Sequence, residues 1–464
     1  MMYKKEHFHF VGINGIGMSG IAKILHKQGH IISGCDLACD TTNIQELIDG
    51  NCKISNQHNS TICNDSSITT VVYSSSISYE NQELISARNK GIKTVLRAAI
   101  LAEIMRTKFA IGVAGSHGKT TTSSVIAHIL MHAKTDPTVI VGGIMHNTKN
   151  NAHYGTGKYT VAEADESDRS HLLLPVTLAV LTNIDFEHTN IYKDLNEVIE
   201  TFKTYLNQLP FYGKGIVCLD DQNIVNMLPS IDSSTITYGT SNQANIQAVN
   251  IQLNANNSSF DVLDNRTKEA LGSITMEMPS IYNVLNATAA ITTAIEIEIP
   301  FHIIAEALQS FQGIDRRFTY KGMMKSPAVK IFDDYGHHPT EIKHSLITAR
   351  RKTKKKLIVV FQPQRYTRTY HLWDEFIEVF QSADIDHLII TDIAPASEAA
   401  IKNVTGQRLA QEILDKNPLL SVHYTPFHTN LQEIKSSVLK IVSDDDLLLL
   451  LGAGKINTLD KQLL

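Results

Sequence analysis

The stretch "KFAIGVAGSHGKTTTSSVIAHIL" (108–130) constrains this chain more than any other. An apolar, β-rich run enters a glycine turn and leaves as a helix, so the first amides of that helix point back into the turn. That is the local architecture of a phosphate cradle. Gly115, Gly118, Lys119 and Thr120 make G-x-x-G-K-T, shorter than the full G-x-x-x-x-G-K-T but with the same chemistry. Glycine amides surround the phosphates, the lysine neutralises β/γ oxygens, and the threonine hydroxyl is a Mg²⁺ ligand. Gly115, Ser116, His117, Gly118, Lys119, Thr120 and Thr121 are therefore expected at a nucleoside triphosphate.

Two further stretches share the strand-to-glycine-turn form, "FVGINGIGMSG" near the start and "LLLLLGAGKINTL" near the end. Apolar strands alternate with helical patterns between them, which predicts an α/β fold with mostly parallel sheets in three nucleotide-fold-like units. The first turn reads Gly15-x-Gly17-x-x-Gly20, with Asp36 closing the next strand. It resembles a dinucleotide fingerprint, yet the motif detects any diphosphate. A polar, β-rich segment over 233–275 is expected as a small antiparallel appendage. The basic run "ARRKTKKK" (349–356) is expected as a solvated helix C-terminus.

At 464 residues the chain exceeds a single core. Breaks are expected near residues 105 and 318, giving segments 1–105, 106–318 and 319–464. A net charge of −5 gives no electrostatic reason for a nucleic-acid partner. No apolar run approaches membrane-spanning length, and the first ten residues feed a strand, so a cytoplasmic location without membrane insertion is expected. Of the five cysteines, only Cys35 and Cys39 have the close spacing of paired zinc ligands. Scattered reduced thiols are the expectation.

Acidic groups follow the phosphate loop. "YTVAEADESDRS" reads as a strand ending in Glu163, Asp165, Glu166 and Asp168; "TLAVLTNIDFEHTNIY" ends in Asp185, Glu187 and His188. Parallel sheets deliver such residues at strand C-termini beside the ligand, where carboxylates and phosphates share a divalent cation.

Taken in order, "GSHGKTTT", "EADESD", "TNIDFEH", "NVLNATAA", "RRF", "DDYGHHPTEI" and "FQPQRYTRT" resemble the Mur ligases, ATP-dependent amide-forming enzymes of peptidoglycan precursor synthesis. The resemblance spans about residues 7–455. It implies a Rossmann-like N-terminal domain for a UDP-sugar, a P-loop-like central ATPase and a Rossmann-like C-terminal domain for the amino acid. With the opening "GINGIGMSG" it implies UDP-N-acetylmuramate and L-alanine as substrates, with ATP and Mg²⁺. Gly15, Ile16 and Gly17 would then take the UDP diphosphate, Asp36 the uridine side, and Ser74 and Ser75 the substrate. By the same resemblance Lys119 contacts ATP phosphates, Thr120 and Glu163 hold one Mg²⁺, and His188 holds a second. Asn286 lies beside adenine, Arg317 reaches ATP, and Asp334 binds ribose. His337 is a neighbouring active-site group and a candidate base, and Arg365 and Arg368 grip the amino acid's carboxylate. The chain departs from the family at Tyr282 and Gln364, where histidine is common, and at Asn14, where glycine is usual.

Three alternatives compete with this expectation. They are a sister ligase adding another amino acid or a recycled peptide, a nicotinamide enzyme using the first fingerprint, and a non-catalytic nucleotide switch. The last two leave the lysine, Glu163 and His188 together unexplained.

Overall fold

The computed structural model describes residues 4–37, 42–59, 61–396 and 398–464; Cys39 lies outside the described residues. Three sheets follow one another along the chain. The first contains β1 (His7–Val11), β2 (Ile31–Cys35), β3 (Lys53–Ser55), β4 (Thr70–Tyr73) and β5 (Lys93–Leu96). Its order is β3-β2-β1-β4-β5, all parallel. The reversal of order at β1 opens a crevice at the strand C-termini, where the first glycine turn sits.

The second sheet holds β6 (Phe109–Ala114), β7 (Thr138–Met145), β8 (Asn150–His153), β9 (Tyr159–Glu163) and β10 (Leu178–Leu181). It continues with β11 (Lys214–Cys218), β12 (Thr235–Gly239), β13 (Ile246–Leu253), β14 (Ser258–Asp264) and β15 (Glu269–Met276). The order is β15-β14-β13-β12-β11-β10-β6-β9-β7-β8. The polar 233–275 segment, expected as a small antiparallel appendage on the central unit, extends the central sheet itself. β12 pairs parallel with β11 and β13 pairs parallel with β12, so β13, β14 and β15 prolong the same sheet as an antiparallel meander. Alternating burial along β14 shows why: one face packs on the core while the other is more open, which a polar-rich strand tolerates.

The third sheet contains β16 (Thr319–Lys325), β17 (Ala328–Asp334), β18 (Leu357–Phe361), β19 (His387–Ile390), β20 (Ser421–Tyr424) and β21 (Leu447–Leu451), in the order β16-β17-β21-β18-β19-β20. β21, "LLLLL", is buried at every position because helices cover both faces of the sheet. The turn after β21 keeps the expected strand-to-glycine form. It enters a short 3-10 helix, and the Gly452 and Gly454 carbonyls accept hydrogen bonds from Arg316 at 2.7 and 3.2 Å. The turn is used to hold a neighbouring loop.

The first two sheets share one apolar core. The Ile16–Lys27 helix packs its buried face on β7 and β8, and Gly20 lets it approach: a Cβ there would lie 3.3 Å from Ala152 Cβ. The third sheet has cores of its own on its two faces. Among the described residues no helix is long and apolar enough to cross a membrane.

Candidate active site

β6 ends at Ala114, and the chain turns through Gly115 and Gly118 into the Lys119–His132 helix. Gly115 has φ +128° and Gly118 φ +80°; a Cβ at either would meet Thr182 Oγ1 at 2.1 Å or Asn286 Oδ1 at 2.5 Å. Both positions therefore demand glycine.

Lys119 Nζ donates to the Gly115 and Ser116 carbonyls at 2.6 and 2.9 Å and pairs with Glu166 Oε1 at 2.8 Å. Burial alone would lower the lysine's affinity for its proton, but Glu166 and Glu187 hold it well above the ordinary range, so it stays an ammonium. Glu166 Oε1 also lies 3.1 Å from His188 Nε2, while Glu166 Oε2 is buried with no partner. Thr120 Oγ1 donates to Glu163 Oε1 at 2.7 Å, and the other Glu163 oxygen accepts the Gly142 amide. Burial pushes the Glu163 carboxyl up.

Ligand atoms of Glu166, Glu187 and His188 fall within 4.8 Å of one another. Hard carboxylate oxygens, one imidazole and an orphaned buried oxygen fit a divalent cation that would complete its shell with phosphate oxygens and water. Thr120 and Glu163, in mutual contact beside the phosphate loop, fit a second.

A further set of charges crosses from the second sheet to the third. Arg368 pairs with Glu187 at 2.8 Å, both nearly buried, and His337 Nε2 lies 3.4 Å from the same carboxylate. His337 Nδ1 donates to the Tyr335 carbonyl at 3.0 Å, leaving Nε2 as the nitrogen toward Glu187. Thr340 Oγ1 donates to Asp185 Oδ2 at 2.8 Å. His117 sits between Asp185 (3.1 Å) and Glu341 (3.5 Å). Burial would depress its proton affinity, yet those two carboxylates hold it at about 10. Arg317 approaches Glu341 at 3.7 Å.

These groups enclose two cavities. One, of about 340 Å³, is lined from all three segments by Ile16, Gly17, Lys119, Thr120, Glu163, His188, His337, Arg365 and Arg368. The other, of about 670 Å³, lies between the second and third sheets beside Thr121, Asn286, Arg317 and Asp334. Ser116 is on the first, and His117 and Gly118 border both. Tyr282 lines the larger cavity and stacks on His344 with ring centroids 3.5 Å apart.

Other expected residues lie at the periphery. Gly15 caps the Ile16–Lys27 helix, and Asp36 Oδ2 accepts the Asn14 amide at 2.9 Å within the same turn. Ser74 and Ser75 occupy the turn after β4 and line neither cavity. Arg365 and Arg368 share the smaller cavity but face different carboxylates; Arg365 pairs with Glu398 at 3.3 Å. Asp334 accepts from the Phe318 and Gly336 amides and from Ser345 Oγ at 2.7–2.9 Å.

Sequence reasoning missed Arg97 and Glu341. Arg97 begins the helix after β5, lies 3.2 Å from Asp165 Oδ2 and covers Gly17, where a Cβ would meet its Nη1 at 2.1 Å. It brings a cation to the point where the first glycine turn meets the phosphate loop. Only its place at a helix start after a strand hinted at this. Glu341 was visible as the third residue of a capped helix, accepting the His337 amide at 3.1 Å; its second oxygen reaches His117.

Comparison with known sequences then decides the family. Residues 7–109 match the Mur ligase family catalytic domain, 113–294 the Mur ligase middle domain, and 316–454 the Mur ligase glutamate ligase domain. The chain belongs to the Mur ligase family. It is 42% identical, over 98% of its length and 97% of the relative's, to a UDP-N-acetylmuramate–L-alanine ligase of Pelobacter propionicus. A protein of the same name from Desulfotalea psychrophila is 43% identical over the same shares. Among solved structures, this Mur ligase shares its fold with the UDP-N-acetylmuramate-alanine ligase of Thermotoga maritima. The TM-score is 0.81, with 24% identity and 98% of each chain covered. A murein peptide ligase from Psychrobacter arcticus superposes with TM-score 0.75 at 23% identity, over 99% of this chain and 98% of that one.

Proposed function

We propose that this Mur ligase joins L-alanine to the lactyl carboxylate of UDP-N-acetylmuramate at the expense of ATP, a cytoplasmic step of peptidoglycan precursor synthesis. The observation that carries this reading is the convergence of Lys119, the acidic strand ends and the Arg365/Arg368 pair on one cavity lined from all three segments. The full-length relatives supply the substrate names.

A carboxylate is a poor electrophile, so the amide needs an activated acid. A carboxylate oxygen attacks the γ-phosphorus and the bond to the ADP oxygen breaks, leaving an acyl phosphate. The amine nitrogen of alanine then attacks the carbonyl carbon, phosphate leaves with its oxygen, and the amine proton passes to solvent or a nearby base. Phosphoryl transfer of this kind is governed by positioning and charge neutralisation.

In this reading Lys119 exchanges its Glu166 partner for ATP oxygens, and Thr120, Glu163 and His188 hold Mg²⁺. Bound Mg²⁺ supplies neutralisation of phosphate charge that an ammonium alone cannot give. Gly15, Ile16 and Gly17 receive the UDP diphosphate with Arg97 above them, and Asp36, Ser74 and Ser75 face the rest of the sugar nucleotide. The larger cavity takes the nucleoside, with Asn286 and Tyr282 toward the base, Asp334 toward the ribose and Arg317 toward the phosphates. Arg368 and Arg365 orient the alanine carboxylate, and His337 Nε2 is placed to receive the amine proton.

The test is mass spectrometry of UDP-N-acetylmuramate incubated with enzyme, ATP and Mg²⁺, with and without L-alanine. The reading requires an alanine adduct dependent on both ATP and alanine and lost in Lys119→Ala. Adducts formed with a recycled tripeptide instead of alanine would assign the chain to a sister activity.

A further inference from the structure

The first sheet carries a second cluster of ligating side chains far from the phosphate loop in the sequence. His9 on β1 and Cys35 on β2 lie on neighbouring parallel strands, with His9 opposite Ser33 and Val11 opposite Cys35. Glu83 comes from the Gln82–Asn89 helix and His58 from the loop after β3. His9, Cys35 and Glu83 are each 0% exposed.

Their polar atoms converge. His9 Nε2 lies 3.2 Å from Glu83 Oε2, Cys35 Sγ lies 2.9 Å from the same oxygen, and His58 Nδ1 lies 3.1 Å from Cys35 Sγ. The His9, Cys35 and Glu83 atoms all fall within 4.8 Å of one another. Ligands at zinc bond lengths of about 2.0–2.3 Å in a tetrahedron stand roughly 3.3–3.7 Å apart. The contacts, at 2.9–3.2 Å, are shorter than such edges, so the side chains would move slightly apart around a bound ion. Cys35 Sγ donates its one proton to Glu83 and accepts from the His58 Nδ1–H, so a cation bound to the thiolate would replace the first of these contacts.

We propose that His9, Cys35 and Glu83 form a structural site for a borderline-soft divalent cation of the zinc type, with His58 held against the Cys35 sulfur. One thiolate and one carboxylate, with the neutral His9 imidazole, balance a dication, which is the condition for burying these groups together. Outer partners are in place: Ser33 Oγ contacts His9 Nδ1 at 2.9 Å, and Glu83 Oε1 accepts the Asn59 amide at 2.5 Å. On binding, the Cys35 S–H bond gives way to a sulfur–metal bond and the proton leaves to solvent, with no change of oxidation state. The site would tie the end of β2 to its neighbours. The Cys35 carbonyl accepts the Gly12 and Ile13 amides at 2.8 and 3.1 Å, so the cation would stiffen the first glycine turn from beneath.

The test uses the full chain, stripped with a chelator and titrated with Co²⁺ as the probe. We expect a thiolate-to-cobalt charge-transfer band in the near ultraviolet and visible d–d bands of a tetrahedral site, both saturating at one equivalent of cobalt. Cys35→Ser should abolish the charge-transfer band, and Cys218→Ser and Glu163→Gln should retain it. Ser33→Ala should weaken cobalt affinity on the order of 10–100-fold through loss of the outer contact. His58→Ala, which removes the contact to the Cys35 sulfur, should weaken it by a similar factor and decides the matter if Cys35→Ser does not fold. Absence of the band in the unsubstituted chain, or its survival without loss of affinity in His58→Ala, would overturn the proposal.

Discussion

The junction between the first and second sheets is mainly apolar, with the Arg97–Asp165 pair at 3.2 Å beside it, whereas the junction between the second and third is mainly charged. At the first, a helix lays an apolar face on β7 and β8 within one continuous core, and Lys23 and Asn150 add a polar contact at 2.9 Å near its edge. At the second, the groups that meet beside the phosphate loop are charged: Arg368 with Glu187, His117 with Asp185 and Glu341, Arg317 with Glu341. Close-packed apolar seams have one good arrangement, whereas ion pairs that line a ligand cavity can exchange partners. The difference teaches which part moves. The contrast predicts that the first two segments stay together as a platform while the third closes on it, trading carboxylate partners for substrate phosphates and carboxylates.

The largest effect expected from breaking this contrast comes from Arg368→Ala. It strands the buried Glu187 carboxylate, which Arg368 holds well below its ordinary range, and should cost about 3–5 kcal/mol in denaturant unfolding. Replacing both partners by methionine should cost less than the single change. At the other junction, Gly20→Val forces side-chain atoms against Asn151 and Ala152 and should cost about 1–3 kcal/mol. That loss should be nearly independent of salt, because no ion pair is touched.

A smaller, pH-dependent effect belongs to His117. Its folded value of about 10 lies above the ordinary 6.5. A cation held in this way contributes stability that is full below 6.5 and disappears as pH rises toward about 10. His117→Gln should therefore flatten the alkaline decline of stability over that interval in melts recorded as a function of pH. The smallest effect is that of salt on the closed arrangement. Raising ionic strength from about 0.1 to 1 M shortens the screening length from roughly 10 to 3 Å. The ligand-free radius of gyration should rise slightly in small-angle scattering, and saturating ATP with UDP-N-acetylmuramate should reverse the change.

The contrast also explains what was legible in the sequence. Gly115, Gly118 and Lys119 announce themselves because a phosphate loop is local chemistry, written in consecutive residues. The sheet class was legible for the same reason, through alternating strands and helices. Arg97 with Asp165 and Arg368 with Glu187 were not, since partners 68 and 181 residues apart meet only after the sheets are assembled. The turn after β21 was legible as a strand entering glycines, but the use of its carbonyls to hold an arginine was not. The His9–Cys35–Glu83 cluster escaped the spacing rule for zinc because two paired strands and a later helix, not a short loop, bring those side chains together. The 233–275 segment was legible as antiparallel strands, but its continuity with the parallel sheet depends on one edge pairing between β12 and β13.

The central claim is that the platform and the closing segment together phosphorylate a carboxylate before the amine arrives. The direct measurement uses UDP-N-acetylmuramate labelled with oxygen-18 in both lactyl carboxylate oxygens, with ATP and L-alanine. Inorganic phosphate carrying a single labelled oxygen in step with amide formation is the expected result. Unlabelled phosphate released at the same rate as the amide would contradict the account.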